Sequence, residues 1–220
     1  MKVALNNFYI NIYMKSKILV FTGGCYSGKT TSMTIIKELL ENKGKSVIFL
    51  DELIRKYNIE SIDKIRKDAN KYMDLQYDII SGKIQAELKS YYSNYDIILV
   101  DRSITDSLFY LTFYVDKNNL DNEHQQKFIK LFHSLNDYLD KVNNIYTYIF
   151  EFSPIQNLVE QDKFRPNNLK ELQQIEYEMI KKYNQLYFNN HNGYMTIDLN
   201  KIPLDQMKDF WNNKIKELKL

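Results

Sequence analysis

The chain has 220 residues, 44% hydrophobic and 26% charged, with a formal net charge of +2. That length suits one domain with a sizeable core, and the near-neutral balance argues against a strong electrostatic hold on nucleic acid or an anionic membrane. One cysteine excludes an intrachain disulfide and points to a reducing compartment, read here as the cytoplasm, and no apolar run approaches the roughly 18 residues of a membrane span.

Residue usage is skewed, with 23 Asn against three Ala. Such a bias fits an AT-rich coding sequence. The 18 Tyr therefore need no aromatic platform for single-stranded nucleic acid to explain them. The opening "MKVALNNFYINIY" lacks a long apolar stretch followed by a small-residue cleavage site, so it does not read as a signal peptide. Residues 1–15 are expected to be an extension to a domain spanning 16–220, with Met14 a second candidate start.

"KILVFT" (17–22) predicts a buried strand. Residues 29–43 predict a helix, with Met33, Ile36 and Leu40 at helical spacing and Gly44 to stop it. "SVIFLDE" (46–52) predicts the second strand, 61–93 one or two helices, and "YDIILVDRS" (95–103) the third strand. Helices are expected over 104–116 and 121–142, the latter with core positions Phe128, Leu131 or Phe132, and Leu135. "IYTYIFEF" (145–152) predicts the fourth strand and 153–168 an irregular lid segment. A helix over 169–189 is expected to bury Leu172, Ile175, Met179, Tyr183 and Leu186. "GYMTIDL" (193–199) reads as a fifth strand, before a last helix carrying Met207, Trp211 and Leu218. Strands alternating with helices predict an α/β fold, a five-stranded parallel sheet covered on both faces.

Three of the six glycines fall in "TGGCYSGKTT" (22–31), between the first strand and the first helix. Gly23-x-x-x-x-Gly28-Lys29-Thr30 is a complete P-loop pattern in the context it requires. A phosphate chain must be approached closely by backbone N–H groups, and glycine permits that with positive φ and no Cβ. The loop makes an anion-binding nest at a helix N-terminus. ATP is thus expected to lie on Gly23, Gly24, Cys25, Tyr26, Ser27, Gly28, Lys29, Thr30 and Thr31. Lys29 supplies charge for the β- and γ-phosphates, and Thr30 a hydroxyl for Mg²⁺. Cys25 reads as filling a variable loop position. Asp101, after four apolar residues, stands at the carboxyl end of its strand, where it can face the same metal.

Asp101-Arg102-Ser103 followed by "ITDSLFY" resembles the Asp-Arg element of P-loop nucleoside and nucleotide kinases. It is close to the thymidylate-kinase style Asp-Arg-x-x-x-x-Ser-x-x-x-Tyr. It is closer still to the small AAA-type kinase-like group that includes nicotinamide riboside kinases. Glu52-Leu53-Ile54-Arg55 is similar to that group's Glu-x-x-Arg after the second strand, and Asp162-Lys163-Phe164-Arg165 to its Asp-x-x-Arg lid. The resemblance spans roughly 16–200. It implies a three-layer P-loop fold and phosphoryl transfer from ATP, with Mg²⁺, to a nucleoside, nucleotide or related small molecule. It also implies a substrate-facing role for Gln76. The lid lacks the several arginines of many nucleoside monophosphate kinases.

Within that reading Lys29, Asp101, Arg102 and Arg165 are the expected catalytic set, and Asp51, Glu52, Arg55, Gln76 and Arg102 the acceptor set. Arg102 serves the acceptor or moving phosphate, or is a structural ion pair at a strand end. Arg165 closes over ATP, or is a solvated loop charge. Asp51 and Glu52 can orient a hydroxyl acceptor and take its proton, or cap the next helix. His124, His133 and His191 lack metal-ligand spacing and read as surface residues. Two rivals stand beside the kinase: a nucleotide-dependent switch ATPase acting on a protein partner, and a polynucleotide 5′-kinase, which the missing basic stripe disfavours. The sequence leaves the oligomeric state open, a homodimer included.

Overall fold

The computed structural model describes residues 16–56, 64–142, 144–155 and 169–220, without the side chains of 55, 56 and 169–172. Five strands form one parallel sheet: β1 (Lys17–Thr22), β2 (Val47–Leu50), β3 (Ile97–Asp101), β4 (Tyr146–Phe152) and β5 (Tyr194–Ile197). Their order is β2-β3-β1-β4-β5. Helices α1 (Lys29–Glu41), α2 (Ala69–Tyr91), α3 (Ile104–Tyr114), α4 (Asn122–Val142), α5 (Leu169–Phe188) and α6 (Met207–Glu217) supply the crossovers and the outer layers.

The strands are apolar almost throughout because both faces of the sheet are covered. Alternation divides them between two cores. Ile18, Val20, Ile98 and Val100 point into one, with α2, α3 and α4. Leu19, Phe21, Ile97 and Leu99 point into the other, against Met33, Ile36 and Leu40 of α1 and Met207, Trp211 and Ile215 of α6. Trp211 sits among Phe21, Phe150 and Phe152, ring centroids 5.6–6.5 Å away. The helix-spacing expectations for α1 and α4 are met, with Phe128, Leu131 and Leu135 buried; in α6 Met207 and Trp211 are buried as expected, but Leu218 is the half-buried C-cap and Ile215 takes the inward place. Gly44, at φ 77, ends the turn after α1.

Several boundaries move. The third strand is shorter than 95–103 and the second shorter than 46–52, so Asp51, Glu52, Arg102 and Ser103 leave the sheet as it ends. The one or two helices expected over 61–93 are two, with 61–63 outside the described residues: residues 64–66 are helical, the helix breaks at 67–68, and α2 begins at Ala69. Asp68 caps it, its carboxylate accepting from the Lys71 N–H at 3.2 Å.

The stripe expected on α5 fails at Ile175 and Leu186, while Met179 and Tyr183 are half-buried and the Leu172 side chain lies outside those described. Ile175 and Leu186 are 45% and 72% exposed, while Gln173, Glu176, Tyr177, Ile180, Asn184 and Phe188 are buried. The inward face is half polar because it meets the phosphate loop and the polar ends of the strands beneath it. Of the histidines, only His133 is fully on the surface. His191 accepts from the Gly193 N–H on Nδ1 (3.0 Å), so its Nε2–H donates to the Tyr146 carbonyl at 2.9 Å. His124 bridges Asp121 and Asp74. Among the described residues, no helix is long and apolar enough to cross a membrane, and no group of three or more His, Cys, Asp or Glu is placed to hold a metal ion.

Candidate active site

The order of the sheet reverses at β1, with β3 on one side and β4 on the other. Parallel sheets bind ligands at the carboxyl ends beside such a switch point. Loop 23–28 leaves β1 there. Gly23 (φ 129) passes so close to the Phe152 carbonyl that a Cβ would come within 2.5 Å of that oxygen. Gly28 (φ 81) opens α1 with no side-chain cap, and the first turn carries no acidic residue. A helix start built this way suits an anion supplied from outside.

The Lys29 side chain folds back over the loop. Its ammonium donates to the Gly24 carbonyl (2.6 Å), the Gly23 carbonyl (3.0 Å) and Ser27 Oγ (3.1 Å). Ser27 in turn donates to Gly24 O at 3.0 Å. From α5, the Gln173 amide donates to the carbonyls of Cys25 (3.1 Å) and Tyr26 (3.3 Å), and Glu176 Oε2 accepts from the Cys25 N–H at 3.3 Å. The apex of the loop is thus bolted to α5 by side chains. Tyr26 holds φ 52 there, a conformation costing a non-glycine residue on the order of 1–3 kcal/mol and concentrated at functional sites.

Thr30, on the first turn of α1, donates to Asp101 Oδ2 at 3.2 Å, and Asp101 is 3% exposed. A hydroxyl and a carboxylate side by side are oxygen donors suited to a hard divalent cation. The pair therefore fits Mg²⁺.

Beyond Asp101 the chain turns sharply. The Arg102 N–H continues the sheet with a 2.9 Å bond to Phe21 O, yet its φ is 69. The turn throws the guanidinium inward, where it is 8% exposed. It pairs with Glu52, lies 3.9 Å from Asp106 Oδ2, and stacks 5.0 Å over the ring of Tyr110. Burial opposes its charge, but Glu52, Tyr110 and Asp106 outweigh that and hold its pKa well above the usual arginine value. Asp106 is itself pushed up by burial, and Arg102, Thr22, Lys29 and Ser103 pull it back. Its Oδ1 accepts from Thr22 and Ser103. Asn184 of α5 links Thr22 (3.2 Å) to Glu151 at the end of β4 (2.9 Å). This polar layer supports the phosphate loop from below.

The structure brings Lys29, Thr30, Asp101, Arg102 and Glu52 into one constellation and separates Asp51 from it. Asp51 is exposed, and its carboxylate accepts from the Glu52 N–H at 2.8 Å. Thr31 is exposed on α1. Gln76 is buried one turn from Tyr72 on α2. Arg66 lies over the rings of Tyr72 and Tyr114 (5.9 and 5.1 Å), and Tyr114 donates to Glu176 at 3.2 Å. The Arg55 side chain, and Asp162 and Arg165 of the expected lid, lie outside the described residues. Sequence reasoning missed Gln173, Glu176, Asp106 and Tyr110 as site residues. The last two lay within the quoted "ITDSLFY", and the first two were visible only as a polar stripe on α5.

A family model described as an AAA domain matches residues 18–201. The chain belongs to that family. No curated protein matches the sequence. Among solved structures, NadR in complex with NR is 20% identical with a TM-score of 0.62, covering 93% of this chain and 52% of its own. The chain thus spans about half the length of the NadR protein. Thymidylate kinase from Candida albicans is 15% identical with a TM-score of 0.57, covering 93% of each chain. Deoxyadenosine kinase from M. mycoides with bound dCTP is 15% identical with a TM-score of 0.53, covering 91% of this chain and 99% of its own. The resemblance to nucleoside and nucleotide kinases and the three-layer P-loop fold expected from sequence are both found. This AAA domain has the five-stranded parallel sheet of that fold.

Proposed function

We propose that the protein transfers the γ-phosphoryl group of ATP to a nucleoside, nucleotide or related small molecule. The reading rests on one arrangement: a phosphate cradle, a Thr30–Asp101 oxygen pair and a Glu52–Arg102 ion pair at the carboxyl ends of three adjacent strands. Phosphoryl transfer asks a protein chiefly for positioning and charge neutralisation. Loop N–H groups and Lys29 hold the β- and γ-phosphates. Thr30 and Asp101 would hold Mg²⁺, which when bound neutralises phosphate oxygens.

Arg102 faces the acceptor end, and Glu52 beside it takes the proton of a hydroxyl acceptor. Asp51, turned to the backbone, gives up that role. Tyr72, Tyr110 and Tyr114 line the same end, and burial pushes all three phenols up, so they stay protonated as hydrogen-bond donors. Buried aromatic and polar groups around an arginine suit a small planar molecule more than a protein partner, which favours the kinase over the switch ATPase. Arg165 remains the proposed lid arginine, and Arg55 and Gln76 proposed acceptor contacts.

The deciding assay measures ADP formed from ATP and Mg²⁺ with each nucleoside, each nucleoside monophosphate, nicotinamide riboside and 5′-hydroxyl oligonucleotides. Lys29→Ala serves as the blank. Stimulation by one small-molecule class, absent in the blank, is expected. A slow rate indifferent to every acceptor would point to the switch ATPase. Stimulation by oligonucleotides alone would point to the polynucleotide kinase.

A further inference from the structure

A buried cluster next to Arg102 is used by none of the roles above. Lys83 and Glu87 lie one turn apart on α2, with side chains 11% and 1% exposed. The Lys83 ammonium donates a 2.6 Å hydrogen bond to the Arg102 carbonyl and forms an ion pair with Glu87 Oε1 at 2.8 Å. Glu87 Oε2 accepts from the hydroxyls of Tyr146 (2.9 Å, from β4) and Tyr138 (3.1 Å, from α4). Three elements, α2, α4 and β4, therefore meet at Glu87, and through Lys83 they reach the Arg102 carbonyl.

A buried Lys–Glu pair is weak as a stabilising device, because desolvation offsets the attraction. This one does something more specific. Arg102 departs from the sheet with positive φ, against the preference of its own backbone. Its N–H is held by Phe21, its guanidinium by Glu52, and its carbonyl by Lys83.

We infer that Lys83 is a positioning residue for Arg102. It grips the Arg102 carbonyl, Glu87 and the two tyrosines hold Lys83, and the turn that aims the guanidinium is fixed as a result. The inference rests on the kinase reading of this site.

The test compares Lys83→Met/Glu87→Gln with Lys83→Arg. The double variant removes both charges together, leaves an amide oxygen to accept from Tyr138 and Tyr146, and deletes the grip on Arg102. We expect kcat to fall by about 10–100-fold, the cost of a reacting group misplaced by about an ångström. KM for ATP should stay within about twofold, and the melting temperature within about 3 °C. Lys83→Arg, which keeps a donor for the carbonyl, should recover most of the lost rate. A double variant with wild-type kcat overturns the inference. So does a loss of kcat that tracks ATP affinity and melting temperature. A crystal structure of the double variant decides the matter independently of turnover: Arg102 should leave its positive φ or its Glu52 pair, and an Arg102 unchanged in both respects overturns the inference. If the wild type forms no ADP with any acceptor, the kinase reading fails and the crystal structure still decides the role of Lys83.

Discussion

Lys29→Ala is expected to lower acceptor-stimulated ADP formation by about 10²–10³-fold or more, in line with deleting a preorganised group aimed at developing charge. Lys29 is buried, 6% exposed, and three of its ammonium hydrogen bonds go to neutral oxygens of the loop. A buried cation held by carbonyls is poised to meet phosphate, since Coulomb attraction is far stronger there than in water. Stability should change little. The variant loses the hydrogen bonds but also the cost of keeping a charge out of water, and these offset one another. Thermal melting and ADP release, run on the same preparation, check both halves. Wild-type turnover in Lys29→Ala would sink the assignment of the loop.

Why the phosphate loop was legible from sequence, and the helix behind it was not, has one physical root. Gly23, Gly28 and Lys29 are required by backbone geometry and charge that only those residue types supply, so the pattern survives without context. β1 and β3 were equally plain, because strands covered on both faces must be apolar at every position. Asp101 followed from being the first carboxylate after such a run. Helix α5 obeys a different rule. Its inward face meets the loop apex and the polar layer around Asp106, so Gln173, Glu176 and Asn184 are buried with hydrogen-bond partners. Hydrophobic periodicity assumes that buried means apolar, and it therefore chose Ile175 and Leu186, which face solvent. Asp51 and Glu52 show the same limit at a strand end. Adjacent carboxylates read alike, and only the exit of the chain from β2 turns Glu52 to Arg102 and Asp51 to the backbone. Lys83 shows in the sequence only as an i,i+4 partner of Glu87, and its bond to the Arg102 carbonyl, 19 residues away, leaves no sequence signal.

Arg102→Met is expected to damage stability and activity together, and a second substitution should separate them. The guanidinium is the shared partner of Glu52 and the fully buried Asp106. Removing one partner of a buried ionic group costs about 3–5 kcal/mol, because the remaining charge is stranded. The loss should depend on pH. Burial raises the pKa of Asp106 above its ordinary value, and Arg102 is the largest influence restraining it. Without Arg102 it rises further. A carboxyl whose folded pKa exceeds its unfolded value contributes stability that is full below the unfolded value, near 3.8, and is lost as pH rises through the folded one. The deficit of Arg102→Met against wild type should therefore be larger at pH 8 than at pH 5 in denaturant unfolding. Adding Glu52→Gln removes one stranded carboxylate and should restore part of the stability at pH 8. It should restore none of the turnover, because the double variant has neither the cation proposed to serve the acceptor or moving phosphate nor the carboxylate proposed to take the acceptor proton. Recovery of both properties together would mean that the pair serves the fold alone, and the acceptor end of the site would then have to be sought around Arg66, Tyr72 and Gln76.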